Sequence, residues 1–236
     1  DASTATPVKT TQPLPDELGR RCDLVAGSDA ALATTLRRLC GDLVGFQDAP
    51  CAAGFLDTVE RVTAAERALR SDSTGLTTTV AINLHKLIAY KDEYEVARLM
   101  VDSDGRAAAQ GLMTPGAKVS WKLHPPILRA MGMDRKINVG AWAAPAIGAL
   151  AKGKRLRGTA LDVFGRAEVR RVERELPGEY LAALEVILSD LSTDNLIAAV
   201  ELANLPDMVR GYEDIKLARV IEYRSALANA LTAFNA

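Results

Sequence analysis

Apolar residues recur at intervals of three and four along most of this 236-residue chain, and this spacing constrains its fold more than any other feature. Residues at such intervals share one face of an α-helix, which can then be buried against other helices. The pattern is clearest over residues 18–69, where Gly45 and Pro50 interrupt it. We therefore predict two helices in this stretch, separated near those two residues.

More helical stretches follow further along the chain. No Gly or Pro lies between Leu76 and Gly105, and residues 77–100 predict one continuous helix. Helical spacing returns in the last third of the chain, where Pro177 is expected to kink or split a helix. A final helix is predicted over residues 215–234.

The segment between the helical regions, about residues 101–160, contains glycines, prolines and short apolar pieces without a helical period. Within it Val119, Trp121 and Leu123 alternate with polar residues, which is typical of a short strand or extended segment that ends at Pro125. The predicted fold class is therefore mainly α: a helical domain with a short irregular, partly extended middle segment.

The N-terminal residues differ in composition from the rest. Residues 1–17 are rich in Thr, Ala and Pro without a helical or strand period, and we expect a linker or disordered leader there. Residues 18–236 are expected to form one helical domain. The chain opens on Asp1 instead of Met, so we expect it to be a piece of a longer protein.

Composition and charge narrow the range of partners. Hydrophobic residues make up 48% of the chain and charged residues 25%, the balance of a globular protein, and the formal net charge is −1. Nucleic acids and anionic membranes usually bind proteins with a basic excess, so neither is expected as a partner. The longest apolar run, residues 140–151, contains Pro145 and is shorter than the roughly 20 residues that span a bilayer. We therefore predict a cytoplasmic protein without a membrane segment.

The cysteines and histidines do not form a recognisable metal or catalytic motif. Cys22, Cys40 and Cys51 lack a CxxC spacing, so we expect reduced thiols that serve as small apolar residues instead of a metal site. His85 and His124 lie far apart in the sequence, without the Ser and Asp partners of a triad. No catalytic residue and no metal ligand is predicted in this chain.

Charged residues occupy the predicted helix at "YKDEYEVARL". On a helical wheel Lys91, Glu95 and Arg98 continue the apolar stripe of Val80 and Leu84, and their spacing allows ion pairs. One interpretation is a solvated helix face. The other is a buried cluster at a contact with another element or domain, where each charge needs a partner. The candidate structural or interface cluster comprises Tyr90, Lys91, Asp92, Glu93, Tyr94, Glu95 and Arg98.

A second charged segment, residues 155–174, is rich in arginine. Guanidinium groups on one helix face are suited to binding a carboxylate or phosphate through two hydrogen bonds each. The alternative is that the arginines pair in an interdomain network with the nearby acidic residues Asp162, Glu168, Glu173 and Glu175. No Gly-rich nucleotide-binding spacing accompanies them. The candidate anion-binding residues are Arg157, Thr159, Arg170 and Arg174.

Four blocks of the sequence, in one order and with similar spacings, resemble the C-terminal region of the long single-chain bacterial indolepyruvate ferredoxin oxidoreductases. They are "LHKLIAYKDEYEVARL", "WKLHPPILRAMGMDRKINVGAW", "KRLRGTALDVFGRAEVRRVERELPGEY" and "VELANLPDMVRGYEDIKL". The similarity covers about residues 43–234. The stretch "LVGFQDAPCAAGF" is also similar to the family's "LVAYQ" segment, from which Gly45 and Phe46 depart, and residues 1–40 have no clear counterpart.

This resemblance implies a supporting role outside the reaction centre. Enzymes of the family oxidatively decarboxylate aryl 2-oxoacids to acyl-CoA with thiamine diphosphate, Mg²⁺ and 4Fe-4S clusters, and they pass the electrons to ferredoxin. The chain has no Gly-Asp-Gly followed by an Asn-Asn pair and no cysteine cluster, so these cofactors are expected in other domains. The expected function is a C-terminal, non-catalytic architectural or interface segment that is inactive by itself.

The resemblance also implies partners: other domains or subunits of the same oxidoreductase, with ferredoxin and CoA for the whole enzyme, and a homo-oligomer. If the arginines bind an anion, the resemblance implies that this anion is a phosphate group of CoA. For a domain that docks onto larger partners, we expect Lys91, Glu95 and Arg98 to be substantially buried, with Tyr90 and Tyr94 shielding them from water. The alternatives are a free-standing helical binding or adaptor module and an independent hydrolase or transferase.

Overall fold

The computed structural model describes residues 14–70, 73–101, 121–123, 137–139 and 143–234 of the chain. These residues are mainly α-helical, which confirms the predicted fold class. Of the predicted leader, residues 1–13 lie outside the described residues. None of the helices in the described ranges is long and apolar enough to cross a lipid bilayer.

Nine α-helices lie in the described ranges. Their bounds are α1 Asp16–Ala26, α2 Ala30–Phe46, α3 Ala49–Leu69, α4 Gly75–Ile88, α5 Glu93–Val101, α6 Ala144–Lys152, α7 Glu168–Ser189, α8 Leu196–Asn204 and α9 Glu213–Phe234. Short 3-10 helices occupy Gly153–Leu156, Phe164–Arg166 and Leu205–Met208.

Two short strands lie in the middle segment. They are β1 Trp121–Leu123 and β2 Ile137–Val139, which pair antiparallel with Trp121 opposite Val139. The predicted extended conformation is thus confirmed over β1, while Val119 and Pro125 lie outside the described residues.

Contacts group the chain into two compact units, which we describe separately. The smaller unit contains α5, the two strands, α6 and the loop that follows α6, up to residue 167. The larger unit is formed by two parts of the chain. The first comprises the described residues up to 90 and contains α1–α4, and the second comprises those from 168 onwards and contains α7–α9. The expectation of one domain over residues 18–236 stays a prediction, since compact units of this kind can belong to one domain.

The larger unit is built around one apolar core. The residues that repeat at intervals of three and four along α2, α3, α4 and α7 point into it, as the sequence pattern predicts. Burying one such side chain fully stabilises the fold by roughly 1.5–3 kcal/mol relative to leaving it exposed. The largest fully buried side chains include Leu36, Leu43, Leu56, Leu84, Tyr180, Leu184 and Tyr223.

Three helices, and not the predicted two, occupy residues 18–69. The additional break follows α1, where Gly27 adopts a φ of 61° and the Asp29 carboxylate accepts hydrogen bonds from the amides of Ala31 and Leu32 at the start of α2. The second break lies where Pro50 predicts it, since Pro50 stands in the first turn of α3. Helix α7 runs through Pro177 without being split, so of the two predicted outcomes, a kink or a split, the split is wrong.

The predicted continuous helix over residues 77–100 is wrong. Helix α4 ends at Ile88, and α5 begins only at Glu93. Between them the Asp92 carboxylate accepts a hydrogen bond of 2.8 Å from the amide of Glu95, so that Asp92 caps a new helix. An Asp side chain that accepts hydrogen bonds from the backbone amides that follow it competes with the hydrogen bonds of a continuous helix. It can therefore interrupt a helix even where no Gly or Pro is present.

The start of α4 depends on a carboxylate in the core. Glu66, at the end of α3, has no solvent exposure, and it accepts hydrogen bonds of 2.7–2.9 Å from the Ser73 hydroxyl, the amides of Leu76 and Thr77 and the Thr77 hydroxyl. Burial by itself raises the pKa of this carboxyl, but the hydrogen bonds prevail and the pKa is lowered. A buried anion is therefore stabilised by the unsatisfied amides at the N-terminus of α4.

We expect Glu66→Gln to destabilise the protein by about 2–3 kcal/mol at neutral pH, because an amide offers one acceptor where the donors surround two. Because the pKa of Glu66 is lowered in the folded state, the ionised carboxylate stabilises the protein at pH values above the usual glutamate pKa. This stabilisation is lost as the pH falls through the folded-state pKa. Urea unfolding at a series of pH values should therefore show the two proteins converging in acid. Glu201→Gln, on an exposed position of α8, is the matched control. A difference that stays constant down to acid pH would contradict the prediction.

Candidate functional site

A buried ion pair lies in the smaller unit. The guanidinium of Arg157 donates to both carboxylate oxygens of Asp92, with Nε–Oδ2 at 2.6 Å and Nη2–Oδ1 at 2.9 Å. The side chains are 7% and 2% exposed. Removing both charges from water costs free energy. The two parallel hydrogen bonds between the side chains offset this desolvation cost. Asp92 thus has two roles, as the cap of α5 and as the partner of Arg157.

A second buried carboxylate shapes the loop that carries Arg157. One oxygen of Asp162 accepts a hydrogen bond from the amide of Gly158 at 2.9 Å, and the other accepts from the amide of Gly165 at 3.0 Å and the hydroxyl of Tyr94 at 3.1 Å. Gly158 has a φ of 77°, a conformation that residues with a side chain rarely adopt. The loop is therefore held from inside, by an aspartate that binds its two ends.

Tyr94, on α5, joins the two carboxylates into one cluster. Its ring lies edge-on to Phe164, with centroids 5.2 Å apart, and the Arg157 guanidinium lies 5.8 Å from its centroid. A Cβ atom at Gly153 would come within 2.8 Å of the ring, so any side chain there would displace it. Burial, together with the charge of Asp162 and the hydrogen bond to it, raises the pKa of Tyr94 to about 12. We call Asp92, Tyr94, Arg157 and Asp162 the Asp92–Arg157 cluster.

The other residues of the predicted cluster at 90–98 differ in burial and in their partners. Glu95 and Arg98 pair through two hydrogen bonds of 2.7 and 2.8 Å, with side chains 9% and 16% exposed, as the helical spacing indicates. Glu93 is half-buried in the first turn of α5. The expectation for Lys91 is wrong: it is exposed, because it lies in the break before α5 and so shares no helix face with Glu95.

Tyr90 belongs to the larger unit and follows the end of α4, so it shares no helix with Tyr94. Its ring stacks edge-on against Phe46 with centroids 5.7 Å apart. Its hydroxyl accepts a hydrogen bond of 3.1 Å from Nε of Arg174 on α7. Tyr90 and Arg174, which the sequence assigned to two separate candidate sites, are therefore partners.

The candidate anion-binding residues are distributed over both units, and each has a partner within its own unit. Arg157 binds Asp92, and the hydroxyl of Thr159 donates to the carbonyl of Leu156 at 2.7 Å, both in the smaller unit. In the larger unit, Arg170 binds Glu173 at 2.5 Å, and Lys216 binds the other oxygen of the same carboxylate. The Glu173 side chain is 4% exposed, so this too is a buried ionic group.

The contacts of these guanidinium groups are better suited to stabilising the fold than to binding a ligand. The guanidinium of Arg157 and that of Arg170 each already contact a carboxylate, so an incoming phosphate would have to displace that carboxylate. Among the described residues, no three His, Cys, Asp or Glu side chains come together as a metal site.

Sequence reasoning missed the pairing of Asp92 with Arg157 and the central place of Asp162. The two partners of the pair are 65 positions apart, and a helical wheel relates only near neighbours. One local signal was present: Asp162 stands between Gly158 and Gly165, and Asp between glycines is typical of a loop organised by its side chain.

Residues 32–229 match the model of a family that is described as a family of unknown function, DUF6537. Since the match covers most of the chain, the chain belongs to this family. No curated protein and no solved structure matches the chain.

We expect Arg157→Met to destabilise the protein by about 3–5 kcal/mol, because it leaves the Asp92 carboxylate buried without its cation. Adding Asp92→Asn should restore a large part of this loss, since Asn removes the charge and still caps α5. Urea unfolding followed by circular dichroism measures both variants. Arg155→Met, at an exposed position two residues away, should change the stability by less than about 0.5 kcal/mol. If the single and double variants lose the same amount, the pair does not act as a buried unit.

Proposed function

We propose that this chain is the C-terminal, non-catalytic architectural or interface segment of an indolepyruvate ferredoxin oxidoreductase. The whole enzyme would decarboxylate aryl 2-oxoacids oxidatively to acyl-CoA and reduce ferredoxin. Thiamine diphosphate, Mg²⁺ and the 4Fe-4S clusters would be held by other domains. The segment would serve by its shape and its contacts, without touching the reacting atoms.

This proposal rests on the groups that the arginines of the candidate anion site contact. Of the three candidate arginines, Arg157 and Arg170 each contact a carboxylate whose side chain is at most 4% exposed, and Arg174 donates to the hydroxyl of Tyr90. Displacing Asp92 from Arg157 would leave a buried carboxylate without its cation, which costs several kcal/mol, whereas Glu173 would keep Lys216 as a partner. Buried pairs of this kind are suited to fixing one arrangement of a segment that other domains must recognise.

The sequence resemblance supports the enzyme context. Two of its four blocks contain the residues of the Asp92–Arg157 cluster: one includes Asp92 and Tyr94, the other Arg157 and Asp162. The resemblance therefore includes all four residues of the Asp92–Arg157 cluster.

The exposed apolar side chains fit a contact role. Leu161 and Val163, which flank Asp162 in the loop, are 70% and 52% exposed, and Leu156 is 38% exposed. Apolar side chains on a loop that is rigidly held by Asp162 form a surface suited to packing against another domain. The same surface would suit a free-standing helical binding or adaptor module, which is the alternative function.

The test is to isolate the native protein from cells that express the natural gene, with an antibody raised against this chain. We expect a polypeptide much larger than 25.2 kDa that reduces a viologen dye when given indolepyruvate and CoA. We also expect the 236-residue chain alone to lack this activity and the visible absorbance of iron–sulfur clusters.

Two results would contradict the proposal. A native polypeptide of about the mass of this chain, without 2-oxoacid oxidation, would favour the adaptor module. Turnover of a 2-oxoacid by the 236-residue chain alone would mean that the reaction centre lies within it.

A further inference from the structure

Two cysteine thiols meet in the larger unit, where α1 packs against α2. The Sγ atoms of Cys22 and Cys40 are 3.6 Å apart, and neither side chain has any solvent exposure. The sequence predicted apolar reduced thiols, and the structure holds all three cysteines as free thiols. Spacing alone did not show that two of them, 18 positions apart, are in contact.

The polar groups beside the thiols fix how the two helices face each other. Arg37 on α2 donates to both carboxylate oxygens of Asp23 on α1, at 2.9 and 2.6 Å. Its guanidinium lies across Gly19, where a Cβ atom would be 3.1 Å from Nη1. Cys22 is the neighbour of Asp23 in the chain, so this surface ion pair lies next to the two thiols.

The distance between the sulfurs is short enough for a bond after a small movement. A disulfide has an S–S distance of about 2.05 Å, so the sulfurs must approach by roughly 1.5 Å. The bond therefore requires rotation of the two side chains together with a small shift of the 11-residue α1. The third cysteine, Cys51, is half-buried at the start of α3 and supplies an internal reference.

We propose that Cys22 and Cys40 form a reversible intramolecular disulfide when the protein meets hydrogen peroxide, and that this bond fastens α1 to α2. This goes beyond the proposed architectural function, since it assigns to the pair a chemical modification. In a reducing compartment such a bond is transient and is removed by thiol reductants.

The reaction balances with peroxide as the oxidant. Because Cys22 has no solvent exposure, peroxide reaches it when the contact of α1 with α2 opens locally. The Cys22 thiolate then attacks one peroxide oxygen, the O–O bond breaks, and the departing hydroxide takes a proton, which leaves a sulfenic acid and one water. The sulfur of Cys40 then attacks the sulfur of Cys22, the S–O bond breaks, and the leaving hydroxide takes the Cys40 proton as a second water. The two sulfurs together lose two electrons, which peroxide accepts.

The surroundings favour Cys22 as the first thiol to react. The hydrogen bond with Cys40 lowers the pKa of Cys22, as do the positive charges of Arg37 and Arg21, while burial and the charge of Asp23 act in the opposite direction. The pKa of Cys40 is raised by its contact with Cys22 and by burial. One thiol is thus disposed to ionise and its neighbour to stay protonated.

The experiment uses the protein with Cys51→Ser, in which Cys22 and Cys40 are the cysteines left in this chain. After treatment with hydrogen peroxide at neutral pH, free thiols are alkylated, and the protein is digested with trypsin. We expect residues 22–37 and 39–61 to appear as one disulfide-linked peptide, which dithiothreitol separates. In the control Cys40→Ser/Cys51→Ser, Cys22 should give sulfenic or sulfinic acid without the link.

Three results would overturn the proposal. The first is that both thiols stay free under conditions that fully oxidise Cys51 of the wild-type protein. The second is that Cys22 accumulates as sulfinic acid while Cys40 is alkylated, and the third is that the link forms only in guanidinium chloride. If Cys51→Ser does not fold, fragmentation of the linked peptide from the wild-type protein between Cys40 and Cys51 identifies the bonded cysteine.

Discussion

The smaller unit depends on one constraint: the charges of Asp92 and Arg157 are both out of water, so each must remain against the other. The pair explains why the chain leaves the helical path before α5, because Asp92 must at once cap that helix and receive Arg157. It also explains the loop after α6, which needs the left-handed Gly158 and the buried Asp162 to present Arg157 in the correct place. Removing either charge alone would leave the other desolvated, so these features depend on one another.

The larger unit follows the same rule with different partners. Glu66 is satisfied by the amides and hydroxyls around the start of α4, and Glu173 by Arg170 and Lys216. In both places a buried carboxylate connects helices that the apolar core alone would hold less specifically. Polar residues that resemble a binding site in the sequence are thus used to join elements of the fold. This use is the physical basis for proposing an architectural role within a larger oxidoreductase.

The sequence predicted the features that arise from near neighbours. Helical periodicity gave the fold class, the final helix and the Glu95–Arg98 pair, because residues three and four positions apart meet on any helix. It did not give the break before α5, because an aspartate that caps a helix looks like any charged residue on a helix face, and Lys91 was therefore placed on the wrong surface. Nor did it give the contact of Asp92 with Arg157, which depends on the path of the whole smaller unit.

Amide hydrogen exchange at Glu95, Gly158 and Gly165 tests most directly whether the two buried aspartates hold the smaller unit together. Each of these three amides donates to a carboxylate of Asp92 or Asp162 at 2.8–3.0 Å. We expect all three to exchange at least about a hundredfold more slowly than in an unstructured peptide, through openings that expose them together. Exchange within about tenfold of the unstructured rate would mean that the carboxylates do not hold these amides and would contradict the central role of the Asp92–Arg157 cluster.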